Sequence, residues 1–281
     1  MTAATLKTLL DAGTAALQDA SDSPRLDAQL LLCYAAGVDK IELVRTPERP
    51  VSLPAAEQFH NLVARRCAGE PIAYLLGKRE FWSMTLHVTP ATLIPRPETE
   101  TLVELALARI PADAPMKVLD LGTGSGAIAL AIARERVRVD GYATDASVGA
   151  LAVAKLNAQS LGIANVRFIH GEWYAPLDGA KFDIILSNPP YIAEGDSHLK
   201  RGDLRFEPAL ALACGHDGMT ALRHIAEHAP KHLASGGWLL MEHGYDQSAA
   251  LTELLQSLGF SEVIDYQDLA GIPRVIGGRL D

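Results

Sequence analysis

Cysteine is scarce. Cys33, Cys67 and Cys214 are odd in number, far apart, and show no C-x-x-C spacing. That pattern excludes a disulfide framework and a paired-thiol zinc site, and it suits free thiols in a reducing compartment. Long apolar runs are also missing, and no segment approaches the ~18 consecutive apolar residues that a membrane span needs. Residues 1–11 lack a basic stretch followed by an apolar run, so no signal peptide is expected and the chain reads as cytoplasmic. Positive charge is in deficit, with 25 Lys and Arg against 34 Asp and Glu for a net charge of −9. Phosphate binding needs concentrated positive charge, so stable nucleic-acid binding is not expected, although a local basic patch stays open. Internal repeats and low-complexity segments are absent from the sequence.

What is present is apolar residue, 48% of 281. That suffices to bury one large core or two smaller ones. Residues 1–78 repeat apolar side chains at helical spacing. Ser23-Pro24 marks a helix start, Leu26, Leu30, Cys33 and Tyr34 fall on one face after it, and Gly37 can end that helix. A second helix is predicted over 54–68, with Phe59, Leu62 and Val63 inward and Arg65 and Arg66 outward. Helices with one apolar face each make sense as a small all-helical bundle. Residues 79–95 read as an extended connector containing a β-hairpin. From 96 to 281 the pattern alternates, with strands expected at 117–121, 141–145, 166–170, 182–187, 238–243, 262–266 and 275–278. Helical segments at 127–136, 148–161, 219–233 and 247–258 fill most of the gaps. Alternation of this kind defines an α/β domain with a largely parallel sheet, whose ligands bind beyond the carboxyl ends of the strands.

Asp120-Leu-Gly122-Thr-Gly124-Ser-Gly126 follows the first core strand and opens a helix. Glycines there allow a sharp turn and let a ligand lie against bare backbone. Asp145, at the end of the next strand, is placed to accept hydrogen bonds from ribose hydroxyls. Gly122, Gly124 and Ala127 also satisfy the dinucleotide fingerprint, with Asp145 near its acidic position. The loop alone therefore points to a nucleotide-like cofactor and leaves its kind open.

Asn188-Pro189-Pro190-Tyr191 directly follows the apolar strand at 182–187. Two prolines make a stiff extended turn without backbone donors. The Asn188 side-chain oxygen and the Pro189 carbonyl are then paired acceptors, which match the two hydrogens of an –NH2 group. An amide nitrogen is a poor nucleophile because its lone pair is delocalised. Holding both N–H bonds steers that nitrogen towards tetrahedral geometry and aims its lone pair at an electrophilic methyl group. Such catalysis rests on orientation and exclusion of water, effects that can reach ~7–11 kcal/mol. Tyr191 would wall the slot. Hydride transfer has no use for this acceptor pair, which demotes the dinucleotide reading.

These motifs, with Gly69-Glu-Pro-Ile-Ala-Tyr74-Leu-Leu-Gly77, Leu93-Ile-Pro95-Arg96-Pro97-Glu98-Thr99-Glu100 and Arg205-Phe206-Glu207-Pro208, resemble the HemK-type family, the peptide chain release factor glutamine methyltransferases. The resemblance covers nearly the whole chain. It implies a Rossmann-like, seven-stranded class I methyltransferase domain behind a helical N-terminal domain that recognises substrate. S-adenosyl-L-methionine is the implied cofactor, and the glutamine of a Gly-Gly-Gln loop in class I release factors is the implied substrate. The resemblance assigns Asn188, Pro189 and Tyr191 to catalysis. It assigns Asp120, Gly122, Gly124, Gly126, Asp145, Glu172, Trp173 and Asn188 to the cofactor. Substrate falls to Asn188, Pro189, Pro190, Tyr191, Arg205 and Glu207, and no residue is assigned to a metal. Glu172 stands where the family more often has Asp.

His224, His228 and His232 recur every four residues, but Pro230 interrupts the helix and no Cys or Asp completes a metal set, so a solvated face is expected. Arg96 has two readings, contact with substrate or cofactor, or a structural role capping a helix or pairing with Glu98 or Glu100, and the structural one is slightly favoured. Residues 192–217 form a polar loop expected to close over substrate. The competing functions are adenine methylation in DNA, a non-catalytic module retaining the fold, and a dehydrogenase.

Overall fold

The computed structural model describes residues 4–200 and 202–281. The chain divides into two units, one ending at Lys78 and the other beginning at Arg79.

The first unit consists of α1 (Leu6–Ala16), α2 (Pro24–Ala36), α3 (Lys40–Arg45), α4 (Leu53–Cys67) and α5 (Ile72–Leu76). Local chemistry sets their ends. Thr5 and Thr8 cap α1 reciprocally, Pro24 occupies the first turn of α2, and Gly37 ends α2 in the left-handed conformation. Leu6, Leu9, Leu31, Leu32, Phe59 and Leu62 share the core. Gly13 is required there, because a Cβ would sit 2.5 Å from Phe59 Cζ.

Two expectations need correction. Leu26 and Tyr34 are 44% and 46% exposed, whereas Ala28, Leu31 and Leu32 are buried. The cause is Asp27, which α2 turns inward to 5% exposure. Its carboxylate accepts from the hydroxyls of Ser21 (2.7 Å) and Ser23 (3.4 Å) and from Arg66 Nε (2.8 Å). Arg66 thus folds back against α2, with its side chain 13% exposed, and does not point outward with Arg65.

The second unit opens with β1 (Lys78–Phe81) and β2 (Met84–His87), a hairpin turned by Trp82 and Ser83 at φ 49° and 52°. Residues 79–95 are more than a connector, since Phe81, Met84 and Leu86 enter the core beside Leu102, Ile128 and Ile132. There follow α6 (Glu100–Arg109), β3 (Lys117–Leu121), α7 (Ala127–Glu135), β4 (Asp140–Asp145), α8 (Val148–Leu161), β5 (Val166–His170) and β6 (Phe182–Ser187). The rest is α9 (Ala209–Leu212), α10 (Thr220–His228), β7 (Leu233–Glu242), α11 (Ser248–Ser257), β8 (Phe260–Gln267) and β9 (Pro273–Leu280).

Among the described residues these strands form a seven-stranded sheet in the order β5-β4-β3-β6-β7-β9-β8. It is parallel except for β9, which runs antiparallel to β7 and β8. The inner strands are apolar on both faces, as burial under two helical layers demands; Leu119, Ile184, Ile185, Leu186, Leu239 and Leu240 are all fully buried. Sequence order reverses between β3 and β6. Leu121 lies opposite Ser187 there, and the Ser187 hydroxyl donates to the Leu121 carbonyl at 2.9 Å. The two strand ends that carry the motifs are therefore side by side.

Candidate active site

The glycine loop leaves β3 and enters α7. Gly122 and Gly124 take φ of 70° and 56°, a region costly to residues with a Cβ. The amides of Gly122 and Thr123 donate to the Thr144 carbonyl on β4. Asp145 follows directly: Oδ2 accepts from the Gly124 amide and Oδ1 from the Ser147 amide, both at 2.8 Å. Each oxygen retains a lone pair for a hydroxyl donor.

Trp173 forms the next wall. Its backbone adopts φ 46°, and its carbonyl accepts from the Thr144 hydroxyl at 3.0 Å. The indole lies so close to the loop that a Cβ on Gly122 would be 3.3 Å from Cζ3. A Cβ on Gly124 would meet nothing within 4 Å.

These residues line a cavity of about 660 Å³ together with Glu172, Asn188, Pro189 and Pro190. That volume lies within the range of small-molecule sites. Bare glycine backbone, an indole wall and a carboxylate at a strand end fit a cofactor carrying a nucleoside. His224 also reaches this cavity, its ring stacked on His228 with centroids 4.3 Å apart, while His232 stacks on Tyr174 at 4.6 Å. Burial lowers the pKa of His224, with the neighbouring His228 adding to the effect.

Asn188 follows β6. Its Nδ2 donates to the Thr99 hydroxyl at 3.1 Å, so the side-chain oxygen remains to accept from a ligand. Tyr191 turns away from the large cavity. It lines a smaller one of about 70 Å³ with Asn188, Pro189, Arg96 and Glu242. Its hydroxyl donates to Glu242 Oε1 at 3.1 Å, and burial followed by the Glu242 charge pushes its pKa up. The Tyr191 carbonyl accepts from Gln247 Nε2 at 3.0 Å.

Some expected site residues support the cavity from behind. Asp120 is 1% exposed; its Oδ2 accepts from the Thr123 hydroxyl at 2.6 Å and the Ala129 amide at 3.2 Å. Burial pushes its carboxyl up to about 7. Gly126 packs between helices, where a Cβ would be 3.0 Å from Leu130 and 3.2 Å from Ala154. Glu207, expected at the substrate, is turned fully inward: it accepts from the Ile94 amide at 2.9 Å and pairs with Arg96. Arg96 therefore pairs with Glu207, where Glu98 or Glu100 was expected. Burial raises the Glu207 pKa while Arg96 opposes the shift. Arg205 is exposed, with its guanidinium 5.0 Å from the Phe206 ring. The segment 192–217, of which Arg201 lies outside the described residues, is strapped down by a bridge between Ile192 and Ala213. Thr99 belongs to the Leu93–Glu100 motif but is given no role there, and reading the motifs misses Glu242 altogether. Neither carries a signal of its own in the sequence.

A central parallel sheet, a glycine loop answered by an acidic strand end, and paired acceptors after the neighbouring strand define a Rossmann-like class I methyltransferase. Residues 8–77 match the family described as "PrmC N-terminal domain", and residues 99–209 match "Methyltransferase small domain". The chain is 48% identical to the release factor glutamine methyltransferase of Vibrio cholerae over 277 residues, 98% of this chain and 96% of that one. It is 50% identical to its counterpart from Pseudomonas aeruginosa over 259 residues, 92% and 94% of the two chains. A methyltransferase structure from Pyrococcus furiosus shares the fold at a TM-score of 0.52 and 19% identity, covering 78% of this chain and 98% of that one. The chain belongs to the release factor glutamine methyltransferase family. Among its described residues, no helix is long and apolar enough to cross a membrane.

Proposed function

We propose that the protein transfers a methyl group from S-adenosyl-L-methionine to the side-chain amide nitrogen of the glutamine in the Gly-Gly-Gln loop of class I release factors. One observation carries this reading. Asn188, its oxygen left as an acceptor, borders the same cavity as Gly122, Gly124 and Asp145.

When bound, S-adenosyl-L-methionine supplies an electrophilic methyl on a sulfonium. Asp145 would take the ribose hydroxyls, Trp173 and Glu172 would border the base, and the Gly122–Gly124 backbone would accommodate the cofactor without side-chain obstruction. Asn188 Oδ1 and the Pro189 carbonyl accept the two N–H bonds of the glutamine amide. This holds the nitrogen out of resonance and in line for attack, an orientation effect rather than proton abstraction. The nitrogen then carries a positive charge and loses its proton readily, so no base is needed before attack. Pro190 stiffens the turn, Tyr191 packs behind it, and Glu207 with Arg96 ties the following segment to residues 94–96. The N-terminal helical unit is assigned to recognition of the release factor body.

The test mixes the purified protein with labelled S-adenosyl-L-methionine and a release factor, alongside a release factor whose motif glutamine is replaced by alanine. Label on the first and not the second is expected. No label on either, from protein that binds the cofactor, overturns the assignment.

A further inference from the structure

One buried side-chain amide is shared between the glycine loop and the edge of the hairpin. Asn157 lies on α8 at 0% exposure. Its Oδ1 accepts from the His87 amide at 2.7 Å, and its Nδ2 donates to the His87 carbonyl at 3.0 Å and to the Ser125 carbonyl at 2.9 Å. One backbone donor and two backbone acceptors leave that amide a single orientation. Ser125, 3% exposed, lines the large cavity beside Gly124. Its carbonyl lacks the donor that helix geometry would give it. The Ala129 amide, four residues on, donates to Asp120 Oδ2 at 3.2 Å, and α7 starts only at Ala127. Among the described residues no other backbone amide takes that place.

We infer that Asn157 is a positioning residue for the cofactor: it replaces the missing helix donor, holds the Ser125 carbonyl out of the cavity, and anchors the glycine loop to the end of β2. The inference rests on the loop being the seat of S-adenosyl-L-methionine, and not on the identity of the methyl acceptor. A buried carbonyl without a donor is costly, so a loop deprived of Asn157 must turn that oxygen towards water. The cavity that Ser125 lines offers it. Gly126, at φ 83°, gives the Ser125–Gly126 peptide the freedom to rotate. Rotation carries the Gly126 amide off the Thr123 carbonyl, which it meets at 2.8 Å, and opens the turn that shapes the cavity wall. Gly124 sits in that turn and its amide is the partner of Asp145, so the disturbance reaches the carboxylate assigned to the ribose. None of the three bonds of Asn157 involves residues 188–191, so its loss falls on cofactor binding rather than on methyl transfer. Asn165 is the matching case away from the cavity. Its Nδ2 donates to the carbonyls of Ala133, Arg136 and Val139 at 3.2, 3.4 and 3.2 Å, around the other end of α7.

The experiment uses the full-length protein and its Asn157→Leu, Asn157→Ala and Asn165→Leu variants. Dissociation constants for S-adenosyl-L-methionine are measured by calorimetry at a temperature where each variant is folded, beside melting temperatures and the kinetics of release factor methylation. Both substitutions at 157 are expected to raise the dissociation constant about tenfold, the size of effect that one orphaned buried acceptor produces. At saturating cofactor, kcat and the KM for the release factor stay within about threefold. Asn165→Leu also lowers the melting temperature but keeps cofactor affinity within about threefold of the original. An Asn157 that merely held the fold together would behave in that same way. Should Asn157→Leu not fold, Asn157→Ala carries the test. Unchanged affinity in the folded variants at 157, an equal loss of affinity in Asn165→Leu, or a fall in kcat as large as the loss of affinity overturns this inference alone. An original protein that binds the cofactor but labels no release factor brings down the proposed function and leaves this inference standing.

Discussion

Replacing Gly122 by alanine tests whether the loop is built to let Trp173 approach. Gly122 and Gly124 both sit at positive φ, 70° and 56°, so an alanine at either pays about the same backbone cost, roughly 1–2 kcal/mol. The two differ in surroundings. The new Cβ at 122 lies 3.3 Å from the Trp173 ring, closer than ordinary contact, while that at 124 meets nothing within 4 Å. Forcing the indole back adds an overpacking cost of about 1 kcal/mol, the low end of the usual range because a ring edge can shift. For a domain of this size 1 kcal/mol moves the melting temperature by about 2–4 °C. Without ligand, Gly122→Ala should therefore melt about 2–4 °C below Gly124→Ala, which itself falls below the original protein. The same melts with S-adenosylmethionine should show a smaller ligand-induced rise for Gly122→Ala, since displacing the indole weakens binding. Equal melting of the two ligand-free variants refutes the close-approach argument.

Asp120 has a raised carboxyl, so the native state binds a proton more tightly than the unfolded chain; its contribution to stability is fully present below pH about 4 and is lost as pH rises through about 7. Asp120→Asn should flatten the stability profile across that window, read from urea midpoints at pH 5 and 8; an undiminished slope counts against it. Arg66→Met leaves the Asp27 carboxylate buried with only its serine partners and should cost about 3–5 kcal/mol in the first unit, whereas adding Asp27→Leu should recover most of that loss in denaturant titrations. Gly218 has φ 68°, and a Cβ would sit 2.2 Å from the Tyr191 carbonyl oxygen, so Gly218→Ala must displace Tyr191. Its kcat should fall more than its cofactor affinity, and methyl transfer beside calorimetric binding decides the point.

Wherever one stretch of chain held the whole signal, the sequence was readable. The glycine loop carries its own backbone requirement, the acidic end of β4 follows one strand later, and the two prolines stiffen whatever they follow. Side chains whose partners lie on other elements were harder. Arg66 reads as a surface residue at the end of α4 until Asp27 is found buried on α2. Arg96 has two glutamates within four residues, yet it pairs with Glu207, 111 residues away. Helical spacing placed the apolar face of α2 about a residue out of phase, because spacing counts hydrophobes and could not foresee that an aspartate would be drawn into the core. Glu242 falls inside the strand expected at 238–243 and carries no signal of its own there. Its partner, the Tyr191 hydroxyl, arrives from the turn after β6.

The strand order explains why chemistry of this kind sits where it does. The glycine loop and the Asn-Pro-Pro-Tyr turn are carried by β3 and β6, neighbours paired in register at Leu121 and Ser187, and the Ser187 hydroxyl ties the two ends together. A slip of one residue would move one motif by about 3.3 Å relative to the other. That is the whole distance over which a nucleophile and its methyl must be aligned, since reacting atoms in a productive complex stand about 3–3.5 Å apart. The next strand, β7, then brings Glu242 to Tyr191, and its carboxylate accepts from the Tyr191 hydroxyl without lining the large cavity. Adjacent parallel strands thus divide the site: β3 and β4 carry the glycine loop and Asp145, β6 carries Asn188 and Pro189, and β7 carries the carboxylate that holds the Tyr191 hydroxyl. An enzyme whose catalysis is orientation has to build that division into the sheet, the part of the fold with the least freedom to move.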